Sequence, residues 1–142
     1  MTSQQLNQTK LEAFGEKMIG VMNNAALGLM TSIGHQTGLF DMMAGLPPST
    51  CAQIAREAGL HERYVREWLG AMVTGRVIDY DPIVATYVLP PEHATWLTRA
   101  AGAQNLARET QLIALLGNVE QGIVESFRTG GGVPYAAFPR FQ

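Results

Sequence analysis

His61 and Glu62 open the run HERYVREWLGAMVTGR, whose charged side chains are the first in this chain with the types and spacing to do chemistry. A zinc-binding helix of the H-E-x-x-H kind begins this way, because two imidazoles one turn apart can share a metal. Here Val65 stands where the second imidazole is needed, and His35 and His93 have no ligand-like spacing to His61, so no metal site is expected. The same run offers Arg63, Arg66 and Arg76 to phosphates or guanine edges, but sets Glu62 and Glu67 among them. Asp79 and Asp81 precede Pro82 and read as turn formers, not as an acid/base pair. Cys51 is the only cysteine, which rules out an internal disulfide and a thiolate zinc cluster, and a lone Cys is most often a small buried apolar residue. With no G-x-S-x-G elbow and no Cys-His pairing, no catalytic residue is assigned.

The elements that would position these residues follow from composition and periodicity. The 142 residues are 46% hydrophobic and 15% charged, enough for one modest core. A formal charge of -2 gives no overall attraction toward nucleic acid. No signal-peptide pattern is present, and with the single cysteine this points to the cytoplasm. Residues 18–36 carry no charge, yet Asn23, Asn24, Thr31, Ser32, His35 and Gln36 interrupt them, so a helix buried against protein is expected in place of a membrane span.

From Lys10 the apolar residues Leu11, Phe14, Met18, Met22, Ala25, Leu29 and Ile33 recur at three- and four-residue steps, predicting one long helix, bent near Gly20 to Asn24 and closed by Gly38. A short turn over 39–44 precedes Pro47-Pro48. Thr50 and Gln53 have capping-box spacing and open a helix that Gly59 ends. A second helix, from about His61 to Gly75, carries the stripe Tyr64, Trp68, Leu69, Met72 and Val73. The two make a helix-turn-helix. Val77, Ile78 and Tyr80, then Tyr87, Val88 and Leu89, flank Asp81-Pro82 as a two-stranded wing. Pro90-Pro91 presets the start of a helix through Thr98, and after Gly102 a long helix aligns Leu112, Leu116, Val119, Ile123 and Phe127 until Gly130-Gly131-Gly132. No further element is expected after it. The fold class is therefore mainly α: a winged helix-turn-helix with a small two-stranded β wing, flanked by long N- and C-terminal dimerisation helices.

The strings ERYVREWLGAMVTGRVIDYD, YVLPPEHATWLTRA and GGGVPYAAFPRF, in this order, resemble the N-terminal winged-helix domain of a group of bacterial S-adenosylmethionine-dependent methyltransferases, some of them designated transcriptional regulators. The resemblance covers nearly the whole chain. It implies that the N-terminal helices and winged helix dimerise and cover a small-molecule substrate, while a following Rossmann-like domain binds S-adenosylmethionine. That cofactor needs an E/D-x-G-x-G-x-G loop after a parallel strand, and this chain has none: Gly130-Gly131-Gly132 follows a helix ending SFRT, with too few residues beyond it for a βαβ unit. The expected organisation is a polar lead over 1–8, a winged-helix and dimerisation domain over 9–128, and a Gly-rich hinge over 129–142 toward a catalytic domain outside the chain. The parent protein would be the enzyme, and this part alone would not be one.

Within that reading, Met18 and Met22, flexible side chains that mould to apolar ligands, are candidate substrate-pocket residues, with Tyr135 and Phe138 beyond the hinge. Met30, Met42 and Met43 belong to the same methionine-rich region. The expected homodimer interface comprises Phe14, Leu29, Ile33, Leu112 and Leu116, since the two long helices carry more apolar surface than a small winged helix can cover. The alternative is a winged helix-turn-helix DNA-binding regulator. The carboxylates on the reading helix and wing argue against nucleic acid as the partner.

Overall fold

The computed structural model describes residues 4–139; the first and last three residues of the expected lead and hinge lie outside it. Helix α1, Gln8–Thr37, is one continuous element of 30 residues that runs through Gly20–Asn24 without interruption. The Asn7 side chain caps it by accepting from the Lys10 amide, so the helix starts inside the expected polar lead. Gly38, at φ +77°, ends it in a left-handed conformation that glycine adopts without a Cβ penalty. Helix α2, Leu39–Ala44, buries Leu39, Phe40 and Met43.

Helix α3, Cys51–Ala58, has the expected capping box, with Thr50 and Gln53 satisfying each other's amides at 3.2 and 2.8 Å. Helix α4, Glu62–Thr74, buries Val65, Trp68, Leu69 and Met72. Tyr64, expected in that stripe, is instead 71% exposed. At about 100° per residue Val65 falls at the centre of the arc defined by Trp68, Leu69 and Met72, and Tyr64 falls at its margin.

The wing pairs β1, Asp79–Asp81, with β2, Thr86–Val88, antiparallel, placing Tyr80 opposite Tyr87 with ring centroids 4.6 Å apart. The strands are shorter than the β-prone runs. Ile78 and Leu89 lie just outside them because both are drawn into the core. Ser49 exchanges two backbone hydrogen bonds with Tyr87, tying the start of α3 to β2. Helix α5, Pro91–Leu97, begins at the second proline as expected.

Past α5 the chain departs from the single long helix read after Gly102. A 3-10 turn, Arg99–Gln104, contains Gly102 at φ +59°, and α6, Leu106–Glu109, is separated by Thr110 from α7, Gln111–Thr129. Asn105 causes part of this break: its side-chain oxygen Oδ1 accepts the Arg108 amide and caps α6. After α7 one further 3-10 turn, Tyr135–Ala137, appears where no element was expected.

The core is the winged helix itself, with Phe40, Ile54, Leu69, Met72 and Ile78 fully enclosed. Helix α1 joins it through one narrow face of its second half. Trp68 donates from Nε1 to the Met30 carbonyl at 2.8 Å and meets Phe40 edge-on at 5.2 Å. Gly34 lies against both rings, so closely that a Cβ there would come within 2.6 Å of each. A second junction holds α1 to α6. The Asn105 amide nitrogen lies 3.4 Å from Nδ1 of the buried His35; because its oxygen is engaged by Arg108, the amide donates to an unprotonated ring nitrogen. Asp41 ties the same region to the 3-10 turn through the Arg99 amide and guanidinium.

Two outcomes are expected. Gly34→Ala forces apart Phe40 and Trp68 and lowers stability by about 1–3 kcal/mol in denaturant unfolding, whereas Gly15→Ala, with open space around it, stabilises by about 0.5–1 kcal/mol through helix propensity. Burial, then Arg99 and Arg108, hold His35 below its ordinary value against the opposing pull of Asp41. The unfolded chain therefore takes up this proton first, and stability falls as pH drops through about 6.5. Thermal melts at pH 8 and pH 6 should show that loss, and His35→Gln should flatten it.

Candidate functional site

Two surfaces compete as the functional one, and the first is the face that would read DNA. The exposed side of α4 presents His61, Glu62, Arg63, Arg66 and Glu67. Arg66 is already engaged, its guanidinium 2.6 Å from the Glu62 carboxylate one turn earlier. On the wing, the Asp81 carboxylate accepts the Ile83 amide at 2.9 Å and shapes the turn, while Asp79 and Asp81 remain exposed. The wing tip is aliphatic, with Ile83 91% exposed. A phosphate approaching this face meets an internally paired arginine, two acidic side chains and an apolar tip, which together provide little attraction.

Nucleophile and metal chemistry find no support in the geometry either. Cys51 is buried, its sulfur 3.7 Å from the Glu62 carbonyl, and burial pushes the thiol up, away from the thiolate that would react. Burial and the neighbouring Tyr80 likewise push the Tyr87 hydroxyl up. Among the described residues no group of three or more His, Cys, Asp or Glu is placed to hold a metal ion, and no helix is long and apolar enough to cross a membrane.

Apolar exposure on α1 and α7 defines the second surface. Leu11, Phe14, Met18, Met22, Leu29 and Ile33 lie on one side of α1 and all are exposed. The residues of α1 that meet the core, Leu27, Met30 and Gly34, are on other sides of the helix. The stripe read from the sequence exists, but it faces away from the fold. Met30 departs from Met18 and Met22 in packing on the core, and Met43 is buried within it. On α7, Leu112, Leu116, Ile123 and Phe127 are exposed and Val119 is buried. The two helices meet where Ile113 approaches the backbone of Gly28.

The four candidate pocket residues do not share one cavity wall. Phe138 lines an apolar hollow with Ile123, Phe127 and Val133, and Met18, Met22 and Tyr135 are not among its lining residues. This hollow exists because Gly130 and Gly132, at φ +73° and +74°, turn the chain back so that Val133 packs beside Gly122. Periodicity could not show that reversal; the two glycines after a helix were its only signal.

Gly130-Gly131-Gly132 follows the end of α7 and no strand precedes it. Among the described residues the only sheet is the antiparallel wing. The glycines therefore do not fit a nucleotide-type cofactor, which needs a parallel strand leading into a helix N-terminus.

A search of solved structures finds the same fold in methyltransferases. One is the mitomycin 7-O-methyltransferase MmcR, 20% identical over 87% of this chain with a TM-score of 0.69. Another is human N-acetylserotonin methyltransferase in complex with SAM, 15% identical over 94% of this chain with a TM-score of 0.63. The chain spans 36% and 40% of those two proteins, respectively. No curated protein matches it. The family model of the Rv2258c-like winged HTH domain matches residues 25–99, from the second half of α1 through α5 to the first residue of the following 3-10 turn. Matched over more than half its length and folded as a winged helix, the chain belongs to the Rv2258c-like winged HTH domain family.

Proposed function

We propose that this chain is the dimerising, substrate-covering N-terminal domain of an S-adenosylmethionine-dependent methyltransferase that acts on a small molecule in the cytoplasm. One observation carries the reading: the winged helix keeps its core closed while a continuous apolar stripe on α1 points outward, on a fold also found within methyltransferases more than twice as long. An apolar surface of that extent marks an interaction site. The paired Arg66 and the acidic wing make a protein or small-molecule partner a better match than DNA.

In this reading residues 9–128 form the dimerisation domain and 129–142 lead toward a domain outside the chain, where S-adenosylmethionine binds and methyl transfer occurs. Phe14, Leu29 and Ile33 on α1, with Leu112 and Leu116 on α7, form the homodimer interface. Met18, Met22, Tyr135 and Phe138 are the residues here most suited to face substrate, because each offers a polarizable or aromatic surface.

Light scattering at micromolar concentration should return twice the chain mass. Leu29→Asp should return the single-chain mass with an unchanged circular dichroism spectrum, and a monomeric unsubstituted chain would overturn the dimer. Titration calorimetry of the longer polypeptide with S-adenosylmethionine should give saturable binding that the 142-residue chain lacks. Absence of binding by the longer polypeptide, or tight and steeply salt-dependent DNA binding by this chain, would overturn the methyltransferase reading.

A further inference from the structure

Every residue of α1 up to Ile19 is exposed, whereas its second half lies in the body of the fold. There Leu29 and Ile33 are 42% and 45% exposed, on the strip of α1 left between the side that meets α4 and the side that meets α7, which outlines a groove. Along one wall Ile33 shares a cavity of about 190 Å³ with Leu39, Leu60, Tyr64 and Trp68. At the other, Gly28, one residue round the helix from Leu29, meets Ile113 of α7, beside the exposed Leu112 and Leu116.

We infer that the occupant of this groove is the first half of α1 from a second copy, packed antiparallel, with the partner's Phe14 seated over Leu29 and Ile33 at the mouth of the cavity. The inference rests on the dimer proposed above and specifies its geometry. An isologous pair requires one surface to complement itself, and α1 supplies both parts: a bare apolar rod and a groove of matching character. Placing residue 14 over residue 31 puts the two copies of Met22 beside the two-fold axis, where flexible thioethers can adapt to each other; in this register Met22 meets its own copy and leaves the substrate-facing set.

A parallel pair is disfavoured on two grounds. It would bring two groove halves together, with the α4 and α7 walls of each body opposing those of the other. It would also align Lys10, Glu12, Glu16 and Lys17 with their own copies, while the antiparallel pair sets all four against the segment 18–40, which carries no charge. At roughly 200 Å² for a fully exposed large side chain, the six stripe residues of α1 expose on the order of 600 Å² per protomer, and Leu112 and Leu116 of α7 bring this to about 800 Å², which is what a standard stable interface buries on each side.

Cysteine cross-linking under a mild oxidant, read on non-reducing gels, tests the register, with Cys51 too buried to interfere. Phe14→Cys combined with Leu29→Cys should give a covalent dimer, Met22→Cys alone should do so across the axis, and Phe14→Cys or Leu29→Cys alone should not. Phe14 is 63% exposed and Met22 69% in the single chain, so these variants should keep its helical circular dichroism spectrum, while any loss of dimer contacts lowers the melting temperature. Self-linking of Phe14→Cys would establish a parallel pair and overturn the inference. A chain that is dimeric by light scattering but does not link in the double variant would overturn this register and leave the dimer standing; a monomer by light scattering would overturn both.

Discussion

The contact between Gly34 and the paired rings of Phe40 and Trp68 determines how everything else is arranged. Only a residue without a side chain lets the α1 backbone come close enough for Trp68 to donate to the Met30 carbonyl. That hydrogen bond uses a helix carbonyl near a place where the chain must soon stop being helical, and Gly38 supplies the stop four residues after Gly34. The long helix is thus anchored at its C-terminal end alone. Its N-terminal half projects, and the apolar stripe along it is left without a neighbour among the described residues.

This anchoring separates two tasks that a winged helix can combine. The buried faces of α3 and α4 close a small core, and the wing is fastened to it by Ile78 and Leu89. The surface that reads DNA in other winged helices is then free to be neutralised, as the Arg66–Glu62 pair and the aspartates of β1 do. A recognition face spent on internal pairing costs this fold nothing in stability, since exposed ion pairs contribute little either way. The exposed apolar side chains are concentrated instead on one side of α1 and on α7.

Much of the architecture was legible in residue types. The capping box at Thr50 and Gln53, the terminating Gly38 and Gly59, and the Pro90-Pro91 start are local signals, and local hydrogen bonding decides them. The stripe on α1 was legible as a pattern, and as more apolar surface than a small winged helix can cover; the inward face was not, because only the positions of Gly34 and Met30 against Trp68 show where α1 meets the core. The interruption at Asn105 is not legible locally, because that residue is held by His35, a contact across 70 residues of sequence. The candidate pocket residues were chosen for softness and aromaticity. Those properties suit a ligand and a core equally, so they could not foretell that Phe138 would fold back on α7 while Met18 and Met22 stayed on the projecting rod.

The reversal at Gly130 and Gly132 has a mechanical consequence. A 19-residue helix such as α7 is a rod of roughly 28 Å, and a chain leaving its far end would swing on a lever of that length. Instead the chain returns along the helix until Pro139 shares a cavity wall with Leu115 and Asn118. The segment through Pro139 is thereby held beside the middle of the rod and not at its far end, so a displacement of α7 carries it along.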